Sequence, residues 1–202
     1  MIIRKLYKFE NAHVVRNCST NRCKYSIHGH SYKVEVMLES NSLDNGEMVY
    51  DFGLMKGNIK EIIDSFDHAT VFWDRDNGDF IKAIKEHSDR WVSIPVNPSA
   101  EQLSRVLFVL IDRILNKTQM ANGEGEVSLR AIRIHETDTG YAECNVKDAY
   151  YWLDRMGEIN PRQIEFSEEV VADWTEPRMM EYICDGNDEK QFFNKEVEQQ
   201  VK

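Results

Sequence analysis

Hydrophobic and polar residues alternate with period two in two early stretches of the chain. From residue 32 onward, Tyr32, Val34, Val36 and Leu38 take one parity while Lys33, Glu35 and Glu39 take the other, as in a strand with one buried face. Just before them, Ile3, Tyr7, Phe9, Asn11 and His13 also share a parity. The two runs predict neighbouring antiparallel strands. Beyond an Asn45-Gly46 turn signal, residues 47–52 read as a short strand. Leu54, Ile59, Ile62, Ile63 and Phe66 then recur at helical spacing and run out at Asp67-His68. The segment 72–95 is charged, with a short helix expected over 79–87. A clearer helix opens at Pro98-Ser99-Ala100-Glu101-Gln102, where Ser99 and Gln102 have capping-box spacing. Its apolar stripe (Leu103, Val106, Leu107, Leu110, Ile111, Ile114, Leu115) is suited to covering a sheet. Strands are expected again over 127–136 and 141–146, around a turn at Thr137–Gly140.

The same parity places chemistry. His28 and His30 fall in register with Tyr32 and Val34, so two imidazoles point toward one interior, and His13 can face it from the adjoining strand. Three buried neutral imidazoles without a common partner are costly. Three around one Zn²⁺, with a fourth position free, make a catalytic site. The upstream Cys18 and Cys23 leave a second arrangement open, a closed Cys2His2 site with His28 and His30, although the His-x-His spacing is that of a strand rather than of a zinc finger. Asp67-His68 reads either as a helix C-terminal cap or as a functional pair. Glu136 shares parity with Ile132 and Ile134, and so lies either inward, needing donors, or in solvent at the strand end.

Composition narrows the class. With 42% hydrophobic and 30% charged residues and a net charge of −10, the 202-residue chain has the makeup of a soluble protein with a sizeable core. No apolar run approaches the ~20 residues needed to span a bilayer, and the first residues lack the order of a signal peptide, so a cytoplasmic location without membrane attachment is expected. The acidic balance argues against nucleic acid as a partner. An anionic ligand would need a local basic cluster, for which Arg16, Arg22 and Lys24 are candidates. Four cysteines in such a chain read as reduced, metal-linked or catalytic. Residues 161–202 hold eleven acidic residues against five basic ones, the makeup of a peripheral extension over the core or over a neighbouring subunit.

Several separated motifs then fall in one order: Phe9-Glu-Asn-Ala-His13, Cys23 upstream of His28-Gly-His30, Met48-Val-Tyr-Asp-Phe-Gly53, Phe66-Asp67-His68, Pro98-Ser-Ala-Glu101 and Ile134-His-Glu136-Thr137. In these the chain resembles the 6-pyruvoyl-tetrahydropterin synthase and 6-carboxy-tetrahydropterin synthase family over about residues 1–150. The resemblance implies an α+β tunnelling fold, an antiparallel sheet with two main helices on one face that assembles into an oligomeric barrel. It divides the chain into a synthase-like domain over 1–150, with an insertion at about 72–95, and an acidic extension over 151–202.

By the same resemblance His13, His28 and His30 are zinc ligands, and Cys23 is the base, preferred over Cys18 for its offset. Asp67 and His68 form a relay supplied by an adjacent subunit. Glu136 anchors a pterin ring with help from Ser99 and Glu101. Ala100 stands where some relatives carry a hydroxyl residue. The implied substrate is 7,8-dihydroneopterin triphosphate, and the implied assembly is a homohexamer with sites at subunit contacts. The implied reaction is a zinc-dependent lyase step giving 6-carboxy-tetrahydropterin for 7-deazaguanine and queuosine synthesis. The pyruvoyl product is the alternative within the family. A non-catalytic module stapled by zinc is the alternative outside it.

Overall fold

Two long strands in full register form the centre of the computed structural model, which describes residues 1–151 and 157–193. Strand β1 (Ile2–His13) runs antiparallel to β2 (His28–Glu39), pairing Ile2 with Glu39 at one end and His13 with His28 at the other. Between them lies a five-residue helix, α1 (Asn21–Tyr25). The chain continues through α2 (Asn58–Asp64), β3 (Ala69–Trp73), α3 (Gly78–His87), β4 (Trp91–Ile94) and α4 (Ala100–Asn116). Next come β5 (Thr118–Gln119), β6 (Ser128–His135), β7 (Tyr141–Cys144) and α5 (Val146–Tyr150). The last elements are β8 (Glu165–Phe166), α6 (Glu168–Ala172), α7 (Met179–Cys184) and β9 (Phe192–Phe193). The main sheet has the order β7-β6-β2-β1-β3-β4-β8.

The four strands β7-β6-β2-β1 are antiparallel, as expected, but the sheet as a whole is mixed. β3 joins β1 in parallel over Asn11–His13, and β4 joins β3 in parallel. The cause is connectivity. From β3 the chain crosses through α3 to β4, and a crossover through a helix returns the strand in the same direction, whereas β3, reached from β2 by way of α2, runs opposite to β2 and hence parallel to β1. Residues 72–95 therefore supply part of β3, all of α3 and all of β4. The short strand expected over 47–52 does not form. The Asp44 carboxylate accepts the amides of Gly46 and Met48, Glu47 turns with φ 61°, and the consecutive Val49 and Tyr50 are both buried. The helix expected from Leu54 is interrupted at Gly57 into a 3-10 turn followed by α2.

One face of the sheet carries the core. Tyr7, Phe9, Tyr32, Val34, Val36, Leu38, Ile132 and Ile134 point into it and meet α2 and α4 on the same side. Helix α4 is buried almost all round, because α5 and α7 pack against it as well. Its buried Arg105 is satisfied by the carbonyls of Asp148 and Gly157 and by the Gln102 side chain. Gln102 is thus turned toward Arg105, while Ser99 alone caps the helix through the Gln102 amide. Ile164, Val170, Trp174, Met179 and Ile183 join the same core, and Trp174 Nε1 donates to Ser65 Oγ at 2.8 Å. Part of the expected extension, residues 152–156 and 194–202, lies outside the described residues. No helix among the described residues is long and apolar enough to cross a membrane.

Candidate metal centre

The register of β1 and β2 brings three imidazoles together. His13 ends β1 directly opposite His28, the first residue of β2, and the two-residue period returns His30 to the same face. Ring centroids lie 4.6 Å (His13–His28), 5.2 Å (His13–His30) and 5.1 Å (His28–His30) apart. One ligand atom from each lies within 4.8 Å of the others. The glycine between the two β2 histidines is sterically required, since a Cβ at Gly29 would sit 2.9 Å from the Asn11 carbonyl oxygen.

Hydrogen bonds orient the rings. His13 is fully buried, and its Nδ1 lies 2.6 Å from the Pro98 carbonyl oxygen. A carbonyl only accepts, so Nδ1 carries the proton and Nε2 presents its lone pair. His28 Nδ1 is held in the same way by the Ser26 carbonyl at 3.0 Å. Carbonyl partners of this kind fix the tautomer of metal-binding histidines. His13 Nε2 is itself buried with no hydrogen-bond partner, a costly arrangement that a cation among the three rings relieves. Burial pushes the His13 pKa down to about 4; the two other histidines also lower it, while the Pro98 carbonyl and Glu136 work in the opposite direction. The ring thereby stays in the neutral form that binds metal. The residues present fit a zinc ion.

Glu136, just past the end of β6, completes the rim. Its Oε1 lies 3.6 Å from His13 Nε2 and 3.8 Å from His30 Nε2, and accepts from the Tyr32 hydroxyl at 3.2 Å. The carboxylate therefore borders the cluster rather than standing free in solvent. The thiols lie outside it: neither Cys18 nor Cys23 belongs to the ligand group, which argues against the Cys2His2 arrangement. Cys23 sits on α1, and its carbonyl accepts from Val15, two residues beyond His13. Cys18 turns its Sγ toward the Thr20 carbonyl at 3.2 Å. Arg16, a candidate for anion binding, is engaged elsewhere. It pairs with Asp76 at 2.8 Å, donates to the Lys24 carbonyl and exchanges hydrogen bonds with Asn97, fastening the thiol-bearing loop to the start of α4.

Asp67 and His68 lie beyond the end of α2. His68 adopts φ 55°, its Nδ1 lies 2.9 Å from Asp67 Oδ2, and its side chain is 75% exposed. Burial acts to raise the Asp67 pKa, but the Glu10 amide, His68 and Arg90 outweigh it and hold the carboxyl below its usual range. The pair is thus a built unit with an outward-facing imidazole rather than a cap on α2. His68 shares a shallow cleft of about 340 Å³ with His30, Asn11 and Thr70. It also borders a cleft of about 910 Å³, where Lys5, Lys8 and Lys56 gather away from the three ligand histidines. Ser99 caps α4 and Glu101 is exposed. Their turn meets the cluster through the Pro98 carbonyl.

Two contacts were not foreseen from the sequence: the Tyr32 hydroxyl on Glu136 and the Pro98 carbonyl on His13. Tyr32 had a signal, its shared parity with His28 and His30; the Pro98 carbonyl is a backbone contact across 85 residues and had none. His135 faces the other side of the sheet and pairs with Glu35 at 2.7 Å.

Comparison with known proteins places this geometry among relatives. Residues 2–147 match the family model described as 6-pyruvoyl tetrahydropterin synthase. A Helicobacter pylori protein named 6-carboxy-5,6,7,8-tetrahydropterin synthase is 41% identical over 196 residues, covering 96% of this chain and 95% of that protein. An Aquifex aeolicus protein of the same name is 27% identical over 160 residues, covering 70% of this chain and 95% of its own. Among solved structures, an uncharacterized protein of Wolinella succinogenes matches with TM-score 0.56 and 19% identity, covering 72% of this chain and 98% of the other. The Caenorhabditis elegans 6-pyruvoyl tetrahydropterin synthase matches with TM-score 0.50 and 19% identity, covering 72% and 94%. These two structural likenesses establish the tunnelling fold.

Proposed function

The chain belongs to the 6-pyruvoyl tetrahydropterin synthase family, and from that premise we propose that it is a zinc-dependent lyase acting on 7,8-dihydroneopterin triphosphate. Its products are 6-carboxy-5,6,7,8-tetrahydropterin, acetaldehyde and triphosphate. The observation that carries the reading is the three-histidine cluster with an unpartnered His13 Nε2 and the Glu136 carboxylate beside it. The near full-length similarity to a relative named for the carboxy product favours that product over the pyruvoyl one. The reaction belongs to the route toward 7-deazaguanine and queuosine in the cytoplasm.

His13, His28 and His30 hold the ion. Zinc, when bound, supplies Lewis-acid polarisation of the hydroxylated side chain of the substrate. Glu136 accepts the two N–H groups of the pterin 2-amino-pyrimidinone edge, which selects the ring and sets its orientation; the turn at Ser99 and Glu101 borders the same ring. Cys23, on α1 and tied through its carbonyl to the Val15 amide two residues beyond His13, takes a proton from the side-chain carbon. His68, oriented by the Asp67 carboxylate, exchanges protons with the side-chain oxygens of a substrate held by a neighbouring copy.

An assembly with sites at subunit contacts, a homohexamer in this reading, suits the outward-facing His68. It also suits the edge of β1, which β3 covers only over Asn11–His13 and where Ile2 and Leu6 are exposed. Such an edge is a template for strand pairing.

The test is to incubate zinc-loaded protein with 7,8-dihydroneopterin triphosphate and identify the products by mass. Acetaldehyde with a carboxypterin is the expected result. A pyruvoylpterin would move the chain to the other branch of the family. No turnover by zinc-loaded protein would favour a zinc-stapled binding module.

A further inference from the structure

Tyr32 is fully buried on the inner face of β2, two residues beyond His30. Its ring stacks on Phe9 with centroids 5.1 Å apart and meets the His30 ring edge-on at 5.6 Å. This packing fixes where the hydroxyl points. Two groups lie near it: His13 Nδ1 at 3.4 Å and Glu136 Oε1 at 3.2 Å. The first cannot accept, because its hydrogen is already directed at the Pro98 carbonyl 2.6 Å away. The phenol proton is left to the carboxylate.

We propose that Tyr32 is the positioning residue for Glu136. Its hydroxyl pins Oε1 from inside the core and so sets the plane in which the carboxylate meets the ligand. Glu136 follows the last residue of β6, and its side chain is 32% exposed. A carboxylate at such a place swings among rotamers unless something rigid holds it, and a buried aromatic residue in mid-strand is rigid. A hydrogen bond to a charged acceptor is also stronger than one between neutral groups. Tyr32 touches no reacting atom, and the metal ligand His13 is held by Pro98. The hydroxyl therefore serves ring recognition and leaves metal retention to other groups. This inference rests on Glu136 being the ring anchor.

The experiment uses the full-length zinc-loaded protein and its Tyr32→Phe, Glu136→Ala and doubly substituted forms. Zinc content and melting temperature are measured on each. The binding probe is 6-methylpterin, which has the ring but no phosphorylated side chain, followed by fluorescence. Tyr32→Phe keeps the ring packing, so zinc content is expected to be undiminished while the probe binds about tenfold more weakly. KM for the triphosphate substrate is expected to rise by a similar factor with kcat little changed. In the Glu136→Ala background the second substitution is expected to add less than about twofold, because the group it positions is gone. Three results overturn the proposal: unchanged probe binding in Tyr32→Phe, a full tenfold loss persisting without Glu136, or loss of zinc from Tyr32→Phe. Failure of the unsubstituted protein to bind 6-methylpterin overturns the ring-anchor reading itself, and the proposal with it.

Discussion

The Nδ1 atom of His13 stands 2.6 Å from the carbonyl oxygen of Pro98, 85 residues further along the chain. That bond couples the end of β1 to the turn before α4 and decides which nitrogen of the ring is offered to an ion. It also explains why His13 is the most deeply buried of the three histidines.

His13→Ala removes one of three protein ligands and leaves the Pro98 carbonyl without its donor. Zinc affinity is expected to fall at least about 100-fold, read by competition with a chelator. The substitution should also cost about 2 kcal/mol or more in the metal-free protein. Retention of tightly bound zinc in this variant would mean the ion sits elsewhere.

The two thiols are expected to separate. Cys23→Ser should lower kcat by about 10²–10⁴-fold while zinc content stays constant. Cys18→Ser should leave kcat within about twofold, since its Sγ is occupied with the Thr20 carbonyl. Zinc lost from Cys23→Ser would restore the Cys2His2 alternative.

Gly29→Ala places a Cβ 2.9 Å from the Asn11 carbonyl oxygen. The strands must part at the point where His28 and His30 are presented, so a destabilisation of about 1–3 kcal/mol is expected, with weakened zinc binding alongside. Denaturant melts with and without metal check both effects. An unchanged melt would mean the backbone relaxes freely there.

The burial of His13 gives the metal-free protein a pH dependence of known sign. The folded ring titrates near 4 and an ordinary one at 6.5, so across this window the unfolded chain binds a proton that the folded ring refuses. Stability should be fully present above about pH 6.5 and decline as pH falls toward 4, by on the order of 3 kcal/mol. In His13→Ala the slope across that window should shrink. A slope identical in both proteins would assign it to other groups.

Much of this was legible in the sequence, for identifiable reasons. Period-two alternation fixed which side of β2 carries Tyr32, Val34 and the two histidines, because a strand has only two faces. The Ser99 cap and the apolar stripe marked α4 because a helix end and a helix face each impose local chemistry. Local pattern failed where distant contacts decided the outcome. The turn at Asp44–Met48 is set by one carboxylate accepting two amides, which overrode the strand-like run after it. The parallel pairing of β3 joins Asn11 to Ala69, about 58 residues apart in the chain. Of the two placements open for the acidic C-terminal segment, over the core or over a neighbour, local pattern could not choose; Ile159, Ile164, Val170, Trp174, Met179 and Ile183 pack into the main core. Arg16 looked like a loop charge free for an anion, yet Asp76 and Asn97, some 60 and 81 residues on, claim it.

Whether three histidines hold the ion and leave a position open is read out by X-ray absorption at the zinc edge of the loaded protein. Three imidazole nitrogens at about 2.0 Å with a light oxygen neighbour and no sulfur are expected. Sulfur scattering at about 2.3 Å from the two upstream thiols would contradict the three-histidine site.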